Sequence, residues 1–264
     1  MKPLSLTLNM LGTVEERHRS IIKFYKTPDL EWASDFICHL EGDKAIGEGV
    51  KRHVLTTIME ALQTGFSREE GTSKLLLFEG EEDHRTPTCR FDLIEDGLFI
   101  IAGRIMGHSF LHGGPSFTGL SPAIIHVILG GDPKTAPISV ADCVDTEVRE
   151  VLELLEGNAI LTEAQRERVN KICLYWDLPA VNRENRKWLY EKIFLHAVLG
   201  RTAKQVEQLQ KGLTDSGVYY LLSKRPDTAA ILFPRTSERE ITPQMILDHI
   251  TWPAEVAHGV SLAW

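Results

Sequence analysis

The chain has no apolar run long enough to cross a bilayer. Its longest stretches, Leu75–Phe78, Leu98–Ala102 and Ala123–Leu129, fall far short of the ~20 residues a spanning helix needs. No membrane is expected as a partner. Cysteine is scarce: Cys38, Cys89, Cys143 and Cys173 lie far apart with no CxxC pair, which argues against a zinc knuckle or a disulfide framework. Positive charge is in deficit, 29 Lys and Arg against 37 Asp and Glu, so at a net −8 the long-range field repels phosphate backbones. Nucleic acid is therefore not expected either. The opening MKPLSLTLNMLG carries one lysine and a weak apolar patch, then Glu15, Glu16 and Arg17 without a small-residue cleavage site, and reads as mature chain. Thiols without partners fit a reducing compartment, the cytoplasm or the nucleus.

What is present is enough to fold. With 264 residues and 43% hydrophobic content, the chain can bury a full core, and no repeat, low-complexity tract or Gly/Ser linker divides it. Apolar residues at Ile46, Val50, Val54, Leu55, Ile58, Met59 and Leu62 recur at helical spacing. Lys74–Gly80 can form a short strand, Glu79–Thr88 a charged loop, and Arg90–Gly97 a hairpin arm. Leu98–Leu111 is apolar on nearly every side, which suits a helix buried within a domain. Ser121-Pro122 reads as an N-cap with proline in the first turn, and Gly130-Gly131 as the stop.

Asp142 or Asp145 can cap a helix carrying Val144, Val148, Val151, Leu152 and Leu155, ending at Gly157. Thr162–Gln165 and Thr202–Gln205 both match the capping box, and Asn182 and Thr242-Pro243 open further helices. The expected fold class is α+β, predominantly helical, with a few short strands. Gly103–Asp132 is expected at its structural centre, without chemistry of its own.

Each candidate for chemistry has a plainer explanation. His108 and His112 stand four apart on a helix, a spacing that can serve one metal ion, but Ser109 stands where a glutamate would be and no third ligand is evident. Gly113-Gly114-Pro115 suits a helix stop and a tight turn, and Gly47-Glu-Gly49 lacks the third glycine of a dinucleotide fingerprint. No metal and no cofactor are implied. Of the thiols, Cys89 beside Arg90 is the least unsuited to nucleophilic work, while Cys143 lies between Asp142 and Asp145 and the others in apolar settings. Leu174, Tyr175 and Trp176 are consecutive and cannot share one face of a helix, so at least one apolar group there should meet solvent.

Several stretches, in order, resemble the large N-terminal lobe of a HECT-type ubiquitin ligase, in a divergent form like that of its cell-cycle-linked members. Ser20–Asp29 resembles the segment before the family's first strand, and Glu41–Met59 its acidic-Gly-Gly-Arg-Glu-Phe helix start. Leu98–Pro115 looks like the Gly-Arg-x-x-Gly helix ending in His-Gly-Gly, and Leu120–Asp132 like the helix after it. Val181–Leu213 is similar to the Thr-x-x-Asn-Arg helix and the Gln-x-x-x-x-Gly-Leu segment. The resemblance implies a lead segment over 1–19, an N-lobe-like domain over 20–253 and a tail over 254–264 where the family's C-lobe begins.

In that family the N-lobe recruits a ubiquitin-charged E2, and a C-lobe cysteine accepts ubiquitin by transthiolation. No cysteine follows Cys173, so the acceptor is expected to be absent and the chain alone inactive. The E2-docking insertion is reduced to Glu156–Ala180, and the resemblance places any surviving E2 or partner surface at Leu161, Leu174, Tyr175, Trp176 and Leu178. The alternative is a non-catalytic adaptor that uses the same surface, and a hydrolase built on His108 and His112 is the outsider.

Overall fold

The computed structural model describes residues 3–43, 47–67, 74–157 and 159–237. The chain begins with strand β1 (Leu4–Asn9), whose alternating Leu4, Leu6 and Leu8 turn inward, as period-two patterning requires. Thr13 and Glu16 then form a capping box that starts α1 (Val14–Lys26), Thr13 Oγ1 accepting from the Glu16 amide and Glu16 Oε2 from the Thr13 amide. Helix α1 carries the chain back so that β2 (Phe36–Glu41) pairs parallel with β1, Leu4 opposite Phe36. On this side Phe24, Tyr25, Trp32 and Phe36 gather around His108, with Tyr25 and Trp32 stacked at 5.3 Å.

Helix α2 (Glu48–Thr64) buries the predicted stripe from Val50 to Leu62; Ile46 and the predicted Thr242-Pro243 helix lie outside the described residues. The single strand expected over Lys74–Gly80 is two fragments in different hairpins. β3 (Phe66–Ser67) pairs with β4 (Lys74–Leu75), and β5 (Phe78–Glu79) with β6 (Thr86–Pro87). The Arg90–Gly97 hairpin arm is instead the short helix α3 (Phe91–Glu95), which buries Leu93 completely. Its five residues are too few to display a helical period, which is why it escapes a pattern reading.

Helix α4 (Leu98–Leu111) spans the limits read from the sequence and buries ten of its residues. It crosses α9 (Ala203–Asp215) backbone to backbone. A Cβ on Gly212 would stand 2.8 Å from the Gly103 Cα, and one on Gly107 would run into the Ser216 side chain. Only hydrogen at these positions lets the helices meet so closely. Arg104 locks the crossing: its guanidinium donates to Asp215 at 2.8 Å and to the Tyr25 carbonyl at 2.7 Å. Helix α5 (Pro122–Ile128) follows, capped by Ser121 as expected.

The remainder is helical: α6 (Thr146–Glu156), α7 (Glu163–Tyr175), α8 (Arg186–Leu195) continued by a π-turn through Gly200, then α9, α10 (Val218–Lys224) and α11 (Ala229–Leu232). Asp145 is the cap of α6, accepting from the Glu147 and Val148 amides, whereas Asp142 is buried against His84. Val144 precedes α6 and is exposed. Asn182 forms a turn ahead of α8, which first becomes helical at Arg186. The Thr202–Gln205 box does not form. The Thr202 hydroxyl donates back to the Val198 carbonyl, and Gln205 is buried, donating to the Thr88 carbonyl. Among the described residues no helix is long and apolar enough to cross a membrane. The whole is a predominantly helical α+β fold with a few short strands.

Candidate partner-binding site

Helices α6 and α7 form an antiparallel pair, and every predicted surface residue lies on α7 or just beyond its ends. The Thr162–Gln165 capping box starts α7 as the sequence foretold, with both reciprocal hydrogen bonds present. Ion pairs join the two helices at Arg168–Glu150 (2.6 Å) and Lys171–Glu147 (3.5 Å). Val169, Ile172 and Cys173 of α7 turn into the core.

The helix stops in a Schellman motif. Asp177 takes a positive φ of 53°, the Leu178 amide donates to the Cys173 carbonyl at 2.7 Å, and the Asp177 amide to the Leu174 carbonyl at 3.3 Å. Leu178 packs against the core, as the apolar residue after such a stop commonly does. The stop leaves Leu174 and Tyr175 in solvent, 84% and 85% exposed, while Trp176 is half-buried with its ring 4.8 Å from that of His196. The expectation that one of the three consecutive residues meets water is thus met by two.

Leu174, Tyr175 and Trp176 border a groove of about 740 Å³, closed on its far side by Val148 and by Asp145 at the start of α6. Charges line both edges in pairs, Lys171 with Glu147 and Arg201 with Asp145 at 3.5 Å, so its floor is apolar and its rim electrically balanced. Burial, and then the Arg201 charge, push the His196 imidazole below its ordinary pKa, favouring the neutral ring beside Trp176. Leu161 does not join this groove. It borders a separate cup at the opposite end of α7, roughly 20 Å away at 1.5 Å per residue. The structure therefore unites Leu174, Tyr175 and Trp176, leaves Leu161 apart, and gives Leu178 a role in the helix stop. Val148, Ile172 and Arg201 also line the groove and were missed. The only signal for Val148 and Ile172 was the apolar stripes of α6 and α7, which say which faces pack but not where the pair parts, and Arg201, on the turn after α8, lay outside both stripes.

All four thiols have raised pKa values, although Cys89 is exposed at the surface. Burial raises the pKa of all four, Cys38 up to about 12, and Cys89, Cys143 and Cys173 in the same direction. Arg201 opposes the rise at Cys89 without reversing it. The two helical histidines are packing groups: the His112 Nε2–H faces the Trp32 carbonyl at 2.9 Å, and His108 Nδ1 is hydrogen-bonded to the Tyr25 hydroxyl at 2.8 Å.

Fold and site define a mostly helical α+β protein whose exposed chemistry is an aliphatic and aromatic helix end beside a groove. No known protein family's profile matches the chain. The chain is similar to the G2/M phase-specific E3 ubiquitin-protein ligase of Macaca fascicularis, 24% identical over 185 residues. That match covers 68% of this chain and 24% of the ligase, so the chain spans about a quarter of its relative's length.

Proposed function

We propose that the chain is the E2-recruiting part of a ubiquitin-ligase-like protein of HECT type, a lobe over 20–253 that docks its partner at the Leu174–Trp176 groove and does not itself accept ubiquitin. The similarity to a ubiquitin-protein ligase supports the class. The observation that carries the docking reading is the pair Leu174 and Tyr175, held in solvent by a hydrogen-bonded helix stop. Burying such side chains in a partner contributes roughly 1.5–3 kcal/mol each, and a stop that is already formed lowers the ordering cost of binding. The balanced rim lets an apolar anchor enter without stranding a charge.

Accepting ubiquitin is a different task. A thiolate must attack the thioester carbonyl carbon of the charged E2 and expel the E2 thiolate. Cys38, held at about 12, is ionised to roughly one part in 10⁵ at neutral pH, and the other three thiols are raised in the same direction. The raised thiol pKa values favour recruitment without transfer, which is also what an adaptor would do. Incubation with ubiquitin-charged E2 enzymes followed by non-reducing electrophoresis is the test. No reductant-sensitive adduct between chain and ubiquitin is expected, and its appearance would refute the non-accepting assignment.

A further inference from the structure

The cup at the other end of α7 differs from every other cavity described. It measures about 280 Å³, with walls of Ile160, Leu161 and Val181 and a rim of Arg166, Arg183 and Arg186. No described residue lining it is acidic, whereas the other four cavities each include at least one carboxylate, such as Asp35, Glu147, Glu79 or Asp96. In a chain of net charge −8 this is a local inversion of sign.

The three guanidiniums are engaged to different degrees. Arg186 donates to the carbonyls of Leu154, Leu155 and Ala159, which fixes it in place while leaving its charge without a carboxylate partner among the described residues. Arg166 reaches Glu163 only at 4.0 Å, the outer limit of an ion pair, and with both side chains well exposed that contact is weak. Arg183 is exposed and meets no carboxylate in an ion pair among the described residues; Glu184 beside it is exposed too. Ile160, 75% exposed, supplies an apolar surface next to these charges.

We infer that the cup docks an acidic segment of a partner protein, a carboxylate held by Arg166 and Arg183 beside an aliphatic side chain seated on Ile160 and Leu161. Planar guanidiniums match carboxylates in bidentate geometry, and the apolar wall rewards a neighbouring aliphatic group that a bare anion lacks. A polynucleotide would meet these arginines too, but also the acidic remainder of the chain, which repels it. This inference stands apart from the Leu174 groove, at the opposite end of the helix, and goes beyond the recruiting role proposed above.

Fluorescence anisotropy with a labelled Glu-Glu-Leu-Glu-Glu peptide tests it on the full chain. Saturable binding is expected, weakened about tenfold when glutamine replaces the glutamates or glycine the leucine, since each loss is on the order of 1.4 kcal/mol. R166Q/R183Q should weaken it equally with an unchanged melting temperature, both side chains being exposed, and L174S/Y175S should bind as the native chain does. No binding, equal binding of the glutamine peptide, or an unaffected R166Q/R183Q variant overturns the proposal. Stronger competition by a single-stranded oligonucleotide than by unlabelled peptide overturns it as well.

Discussion

Along α4, ten of fourteen residues are buried and glycines bring its backbone against α9; along α7, a helix one residue shorter, three are buried and a leucine and a tyrosine stand in water. Helix α4 has the limits read from the sequence, and α7 starts at the predicted capping box. The difference lies in what covers them. The backbones of α4 and α9 leave no room even for a methyl group at Gly103 or Gly212, so that region is closed to partners. The end of α7 is fixed in shape but uncovered, the combination expected of a surface that waits for another protein.

Overfilling the closed region should have the largest effect. A Gly212→Val side chain would begin 2.1 Å from the Ile100 carbonyl oxygen, backbone that cannot swing aside. A loss of about 3 kcal/mol is expected, read as a melting temperature lower by roughly 6–12 °C. A smaller effect should come from pH. Burial, with the His112 charge second, holds His108 down to about 3, so the fold keeps it neutral while the unfolded chain protonates it near 6.5. Stability is complete above pH 6.5 and falls as pH drops toward 3. Urea unfolding at pH 4.5 should show a deficit of roughly 2–3 kcal/mol relative to pH 7.5, and the slope should flatten by about one proton in H108Q.

The edge of the open region should respond less. Asp145→Ala removes the cap of α6 and the partner of Arg201, a cost of about 1 kcal/mol by urea titration. Leu174→Ser with Tyr175→Ser should change unfolding by less than about 0.5 kcal/mol, because both side chains are already in water. A stability loss there comparable to that of Gly212→Val would erase the distinction between the two regions.

How legible these regions were follows the same division. The limits of α4, the Ser121 cap and the Thr162–Gln165 box could be read directly, because all-round apolarity and capping hydrogen bonds act within a few residues. Strand β1 and the Thr13–Glu16 box were equally local yet passed over in a lead segment, although Leu4, Leu6 and Leu8 alternate plainly. The Thr202–Gln205 match failed for a tertiary reason: the π-turn before α9 takes the Thr202 hydroxyl, and Thr88 takes the Gln205 amide. The glycine crossing could not be seen in the sequence, since it joins positions more than a hundred residues apart. For the site, the apolar cluster at Leu174–Trp176 was visible; that Leu161 belongs to a different, basic cup was not.

The most direct test of the docking account is the affinity of the full chain for ubiquitin-charged E2 enzymes, measured for native protein and for L174S/Y175S of equal melting temperature. The account predicts saturable binding that weakens about tenfold or more in the variant, corresponding to at least ~1.4 kcal/mol. Equal affinity of the two proteins, or no binding by the native chain to any charged E2, would contradict it.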